Sequence, residues 1–336
     1  METGEERIVV IMPALNEEET IGEVIRECRE ALSGKNNEIL VVDGRSSDDT
    51  VKRSRQEGAY VIVQKGTGYG DALVCGFGYA LRILKPDIVI MMDADGTYPP
   101  QSINDLLKPI FNDEADLVIG NRFAVLDKKT MPLVNRIGNR FLSGLSKLLF
   151  KMPLLDTQSG FRAFRAEILS NMVFKNPGMP LASEMIVEAK NANYRISQIP
   201  VTYRSRRGKS KLRPLRDGWF ILGTMIRLYR DFSPLFFFGL IGSFFLTIAG
   251  ILTLYLLITY FVAGVVPNFV FGITIAVMFV SGLIIVVMGL LADMIKDMRE
   301  RLRVFEIQLA ENFLQNKNAR NSQPHEETRA SERAKE

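Results

Sequence analysis

Short apolar runs alternate with amphipathic stretches through the first two thirds of the chain, and the rhythm breaks near residue 233. RIVVIMPA (7–14), EILVVDG (38–44), AYVIVQ (59–64), VIMM (89–92) and DLVIG (116–120) have the length and apolar density of buried strands, and YRISQIPVTY (194–203) reads as one more. Helical signals lie between them. LNEEETIGEVIREC spaces apolar residues at helical intervals with acids in its first turn, SSDDT caps VKRSRQEG, and the later part of GTGYGDALVCGFGYAL continues as a helix. This alternation predicts an α/β domain with a doubly wound, mainly parallel sheet over residues 1–213.

Later segments carry other periods. PLVNRIGNRFLSGLSKLLF (132–150) lines up Leu133, Ile137, Phe141, Leu145 and Leu148 on one helical face and Arg136, Arg140, Ser143 and Lys147 on another. Two readings stay open for this basic amphipathic helix: a core helix with a solvated charged face, or a wall facing an anion. An interfacial helix is expected over 214–232, where an aromatic and aliphatic body is surrounded by Arg216, Arg227 and Arg230. From Pro234 to Val266 and from Phe269 to Ala292 no charged residue occurs, and each run exceeds the roughly 20 residues that cross a hydrocarbon core. The expectation is a transmembrane hairpin over 233–292, with helices at 234–262 and 269–292. Its turn is uncharged, whereas Arg227, Arg230, Lys296, Arg299 and Arg301 flank the outer ends, which puts the first domain and both termini on the cytoplasmic side of the cell membrane. Residues 293–316 read as a charged amphipathic helix and 317–336 as a compositionally disordered tail.

Composition then removes whole classes of chemistry. The only histidine among 336 residues is His325, in the polar tail, so histidine acid/base pairs, triads and His-metal sites are excluded from the folded part. Cys28 and Cys75 lack metal-ligand spacing and read as incidental thiols. METGEERIVV carries acids where a signal peptide needs a basic and then an apolar region, in keeping with a cytoplasmic first domain. Net charge is only +4, but basic residues cluster ahead of the apolar region, which points to anionic substrates or an anionic membrane face. A nucleic-acid partner is not expected, because the supporting fold signature is missing.

Carboxylates, cations and backbone are left to carry any chemistry. VIMM runs straight into Asp93, Ala94, Asp95 and Gly96, and side chains two apart in an extended chain share a face, so the two acids converge if the extended geometry persists. Ligand crevices of open α/β sheets lie outside the carboxyl ends of strands, and Mg²⁺ takes one or two carboxylates plus phosphate oxygens. A metal-held diphosphate is one reading; a plain Asp/Gly turn closing a core strand is the other. The first strand is followed by PALNEEE rather than GxGxxG, and the GxG at Gly68 and Gly70 comes only after the third, which disfavours a dehydrogenase. DTQSGFRAF (156–164) gathers a hydroxyl, a glycine and an arginine in one turn suited to an anion. RSRRGKSKLR (204–213) is too cationic for a core and must meet solvent, phosphate or anionic lipid headgroups.

Taken together, VIMPALNEEETI, ILVVDGRSSDDT, GYGDAL, MMDADGTYPP, VIGNRF, DTQSGFRAF and RGKSKL resemble, in order over residues 7–215, the family 2, GT-A fold glycosyltransferases that make polyprenyl-phosphate sugars. The apolar hairpin resembles the two-helix branch of that family. The resemblance implies hexosyl transfer from a GDP- or UDP-linked sugar, mannose first with glucose and N-acetylglucosamine as alternatives, to dolichyl or polyprenyl phosphate. It implies that Pro13, Ala14, Glu17 and Asp43 hold the nucleoside, and that Gly70, Ala94 and Arg206 also lie on the donor side. Asp93 and Asp95 would form the DxD pair, Asp95 being the more direct ligand of Mg²⁺ or Mn²⁺, with Lys209 and Lys211 closing over the diphosphate. Arg122, Arg136 and Arg140 would receive the lipid phosphate in a pocket shaped by Ser159 and Arg162. Two departures stand out: Gly96, Thr97 and Tyr98 occupy the place of the family's frequent Leu-Gln-His, and Arg140 falls where a serine or similar small residue is usual.

A polyprenyl phosphate is already anionic at neutral pH, so its oxygen attacks the anomeric carbon without a strong general base, and a single displacement inverts that carbon. Asp156 and Glu184 are the other carboxylates expected near the acceptor. A processive polysaccharide synthase would carry QxxRW, whereas Trp219, the only tryptophan, follows Asp-Gly. An inert nucleotide-binding membrane adaptor would have no need of both acids. A homo-oligomer is compatible with the sequence.

Overall fold

The computed structural model describes residues 6–124, 133–150, 155–172, 174, 181–205, 214–264 and 269–321. They fall into two compact units, Met1–Leu228 and Tyr229–Glu336, and each is described by itself.

In the first unit β1 (Ile8–Ala14), β2 (Asn37–Asp43), β3 (Tyr60–Val63), β4 (Ile88–Met91), β5 (Leu117–Asn121), β6 (Arg162–Arg165) and β7 (Ile196–Pro200) form one sheet in the order β3-β2-β1-β4-β6-β5-β7. β6 runs antiparallel to β4 and β5, and the remaining pairings are parallel. Every apolar run read from the sequence is a strand. β6 is the addition: it begins in the last three residues of DTQSGFRAF and ends at Arg165, and the arginines at its two ends mask a buried Ala-Phe pair.

The helices of this unit are α1 (Ile21–Ala31), α2 (Thr50–Gln56), α3 (Tyr69–Tyr79), α4 (Ile103–Phe111), α5 (Leu133–Phe150), α6 (Ala166–Asn171) and α7 (Leu181–Asn191), with α8 (Pro214–Phe232) crossing into the second unit. Alternate residues of a strand face opposite ways. Accordingly Ile8, Val10 and Met12 join Ile21, Val24 and Ile25 of α1 and Ile103, Leu106 and Ile110 of α4 in one buried cluster. On the other face α3 is pressed so close that a Cβ on Gly76 would lie 2.7 Å from Ile11 Cγ2 and 2.9 Å from Val42 Cγ2. Glycine alone permits that approach. Because β1 has β2 on one side and β4 on the other, the winding reverses there, and the crevice opens beyond Ala14 and Met91.

In the second unit α9 (Pro234–Ala263) and α10 (Phe269–Asn321) pack through small residues, as helices in lipid do. A Cβ on Gly242 would lie 2.6 Å from Val286 Cγ2, and one on Gly282 would lie 2.9 Å from Leu246 Cγ. Pro234–Val262 and Phe269–Arg299 are long and apolar enough to cross a bilayer, and only 11% of each apolar window is buried, unlike the core helix of a soluble protein. α10 runs unbroken to Asn321, through the stretch read as a separate helix and into the stretch read as a tail. The Lys, Arg, Glu, Gln, Leu and Ala residues after Asp293 are good helix formers, so nothing interrupts the backbone there.

Candidate active site

β4 ends at Met91, and Met92 still donates to Ile11 O (3.1 Å) before the chain turns. The extended geometry does not persist to Asp95, contrary to the condition set from sequence: residues 94 and 95 lie in a turn, and Gly96 has φ +71°. Asp95 is 6% exposed, and its Oδ1 accepts from Thr97 N (3.1 Å) and Thr97 Oγ1 (2.6 Å). The Asp/Gly turn is therefore real, and it is the device that holds one acid at the crevice. Asp93 is half-buried, and its Oδ1 accepts from the Tyr69 hydroxyl (2.9 Å).

The loop before β6 closes on these acids. A Cβ on Gly160 would lie 2.6 Å from Asp93 Oδ2, so the glycine leaves the space the carboxylate fills. Gly160 N donates to the Tyr98 hydroxyl (3.0 Å), and Ser159 Oγ lies 3.4 Å from the same oxygen. Tyr98 stacks on Phe161 (5.3 Å between centroids) and meets Tyr203 edge-on (5.3 Å). Burial pushes the Tyr98 phenol well above its ordinary value, so it stays a neutral hydrogen-bonding group.

Two buried arginines frame the loop. Arg122 Nε and Nη2 fork onto Asp156 Oδ2 (2.7 Å) and Oδ1 (2.9 Å), and Arg122 N also donates to Oδ2 (3.1 Å). Its guanidinium lies 5.5 Å from the centroid of the Tyr203 ring. Arg162 is fully buried and donates to Ser159 O, Thr157 O and Ala182 O at 2.8 to 2.9 Å. Burial lowers it to about 10, so it keeps its charge at neutral pH and organises the loop through backbone carbonyls. Glu184, in the first turn of α7, is fully buried.

On the β1–β2 side, Asp43 is 2% exposed and its carboxylate accepts from Arg45 N (2.9 Å) and Ser46 N (3.1 Å), which holds Arg45 at φ +66°. The loop after β1 interlocks with it: Asn16 N donates to Ser46 Oγ, Ser47 N to Asn16 Oδ1, and Glu17 N to Thr50 Oγ1. Pro13 and Ala14 close β1 beside Val42 and Asp43. Gly70, in the first turn of α3, is buried.

Asp93, Arg122, Ser159 and Arg162 are thus brought together through Tyr98, Gly160 and Tyr203, and Asp95 is held by Thr97 in the turn that leads to Tyr98. Arg136 and Arg140 stand on α5, half-buried and exposed respectively. That helix is joined to the loop by Thr157 N donating to Ser143 Oγ (3.2 Å). Its buried face is Leu142, Ser143 and Ser146, while Ile137, Phe141 and Leu148 point outward. Ser143, placed with the basic face from sequence, is the docking residue. Arg206, Lys209 and Lys211 lie outside the described residues, but the chain reaches them from Arg204, whose N donates to Thr97 O (2.7 Å).

Sequence reasoning did not single out Tyr69 or Tyr203, and it met Tyr98 only as a departure from the family's Leu-Gln-His, without a role. Each sits in or beside a stretch it did use, GYGDAL, DGTYPP and the run leading to RSRRGKSKLR, and a tyrosine next to a candidate acid was the available signal.

The donor set suits a hard divalent cation. Asp93 and Asp95 are oxygen donors of the kind such a cation takes together with phosphate oxygens and water, while no three His, Cys, Asp or Glu side chains gather among the described residues.

Residues 9–173 match the model of glycosyl transferase family 2. Glycosyltransferase AglJ of Haloferax volcanii is 33% identical over 304 residues, spanning 89% of this chain and 97% of that protein. Dolichyl-phosphate hexose transferase of the same organism is 34% identical over 66% of this chain and 93% of its own length. Among solved structures, glucosyl-3-phosphoglycerate synthase from Mycobacterium tuberculosis in complex with Mn²⁺, uridine diphosphate and glucosyl-3-phosphoglycerate superimposes with TM-score 0.54 at 24% identity, covering 66% of this chain and 80% of that one, a likeness of fold. The chain belongs to glycosyl transferase family 2. It is a glycosyltransferase with a GT-A-like α/β domain followed by two long apolar helices.

Proposed function

We propose that this glycosyltransferase moves a hexose from a nucleotide sugar to dolichyl or polyprenyl phosphate at a bilayer surface, with inversion at the anomeric carbon. The observation that carries the reading is the meeting of three motif loops at the end of β4. Acids, a glycine cradle and the root of a cationic loop converge there, in a chain that continues through α8 into two bilayer-length apolar helices. The name of one relative, dolichyl-phosphate hexose transferase, favours the same acceptor class.

In this reading Pro13, Ala14, Glu17 and Asp43 seat the nucleoside, and Gly70 and Ala94 allow the diphosphate to approach. Asp95, with Asp93 beside it, would hold Mg²⁺ or Mn²⁺, which when bound neutralises charge on the departing nucleoside diphosphate. Arg206, Lys209 and Lys211 cover that diphosphate. Arg122, still paired with Asp156, joins Arg136 and Arg140 in receiving the lipid phosphate, while Ser159 and Arg162 shape the pocket. The outward stripe of α5 and the exposed Trp219 and Phe220 of α8 suit a lipid surface, with the domain and both termini cytoplasmic.

Incubating the purified chain with GDP-mannose, UDP-glucose and UDP-N-acetylglucosamine in turn, with a polyprenyl phosphate and Mg²⁺ or Mn²⁺, tests this. A lipid-linked sugar from one donor is expected. Failure to label the lipid from all three contradicts the reading.

A further inference from the structure

We infer that Tyr69 is a positioning residue that sets Asp93 for the donor and ties the glycine-rich loop to the acidic turn. The inference rests on the reading that Asp93 and Asp95 face a metal-bound diphosphate.

Tyr69 opens α3, directly after Gly68, whose φ of +95° turns the chain out of the loop and into the helix. α3 cannot shift easily, because Gly76 is in contact with Ile11 and Val42 of the sheet. The phenol is thus carried on a rigid mount, and its hydroxyl lies 2.9 Å from Asp93 Oδ1. On the other side of the carboxylate is Gly160, with no side chain to intrude and a backbone N–H anchored on Tyr98. Asp93 is clamped between two motif loops that lie about ninety residues apart in the chain.

A phenol hydroxyl donates to a carboxylate without giving up its proton, so Asp93 is oriented without being neutralised. A charge-assisted hydrogen bond of this kind both restrains a rotamer and stabilises the ionised acid. A carboxylate left to rotate would offer its oxygens to a cation only part of the time, and small misplacements in a reacting site carry large penalties.

The test is a cycle of four full-length proteins: unaltered, Tyr69→Phe, Asp93→Asn and the double variant. Each is titrated with Mn²⁺ in the presence of UDP or GDP and followed by the electron paramagnetic resonance of free Mn²⁺, with thermal midpoints recorded alongside. Tyr69→Phe should weaken Mn²⁺ binding by roughly tenfold, the scale of one hydrogen bond to a charged group. In the Asp93→Asn background the same change should have little further effect, because Tyr69 acts through Asp93. A purely structural tyrosine would instead lower the midpoint and weaken binding equally in both backgrounds, and that result overturns the inference, as does unchanged binding by Tyr69→Phe. If the unaltered chain binds no Mn²⁺ with either nucleotide, the functional reading fails and takes this one with it.

Discussion

The strands β5, β6 and β7 carry arginine–aspartate pairs at both ends, and the two ends behave differently. At one end Arg195 donates to Asp116 and Asp113, and Arg165 reaches Asp113, in a network where Asp113 is 73% and Arg195 48% exposed. At the other, Arg122 and Asp156 form a single forked pair with 8% and 0% of their side chains exposed. The chemistry is the same and the solvent is not. In water such pairs are worth little, because both ions are well solvated apart. Out of water each ion depends on the other, and that is where the chain has placed its candidate site.

The sharpest way to break this contrast is to strand Arg122. Asp156→Ala should destabilise the first unit by about 3–5 kcal/mol, since a buried guanidinium loses its counter-ion and Arg122 N loses an acceptor. Chemical denaturation monitored by circular dichroism measures it. A loss as slight as that of an exposed pair would show the buried end to be no more demanding than the other.

A second change acts at the buried end without touching charge. Gly160→Ala places a methyl group 2.6 Å from Asp93 Oδ2, so the loop or the carboxylate must move. Glycosyl transfer should fall by on the order of a hundredfold if the site tolerates about an ångström of misplacement no better than other enzymes do. Initial rates against donor concentration decide it, and near-normal rates would mean that the Asp93–Gly160 contact does not bear on the reaction.

The smallest effect belongs to the exposed end. Hydrogen bonds from Arg195, and then its charge, hold Asp113 below the ordinary carboxylate range, and hydrogen bonds from Arg195 do the same for Asp116 against an opposing burial effect. A carboxyl whose folded pKa is depressed contributes stability above its unfolded value, and that contribution disappears as pH falls through the folded one. Arg195→Ala should therefore lower the thermal midpoint slightly at pH 7. The gap to the parent should close as the pH drops below roughly 4. A gap that widens in acid would contradict this.

The contrast also bears on what a sequence reveals. Strands β1 to β5 were legible because continuous apolar runs have few other uses, and the two spans because nothing charged interrupts them. β6 was hidden because Arg162 was read into an anion-binding turn, whereas it opens a strand and three backbone carbonyls surround its buried guanidinium. The outward stripe of α5 misleads in the opposite way: apolar spacing suggests a core face, but Ser143 and Ser146 are buried. Asp93 and Asp95 were found by type and spacing, although the turn at Gly96, rather than an extended strand, sets Asp95 in place. The roles of the tyrosines that hold the site were not legible because their partners are remote in the chain: Tyr98 stood out only as a departure from the family pattern, and no local pattern records a contact between Tyr69 and Asp93 or between Tyr98 and Gly160.

Binding of Mn²⁺ by the full-length chain with UDP or GDP present, compared between the unaltered protein and Asp95→Asn, is the most direct test of the site proposed at the end of β4. The account predicts tight, nucleotide-dependent binding by the unaltered chain and its loss, by at least roughly a hundredfold, when the turn keeps its shape but Asp95 no longer carries charge. Equal binding by the two proteins would contradict it.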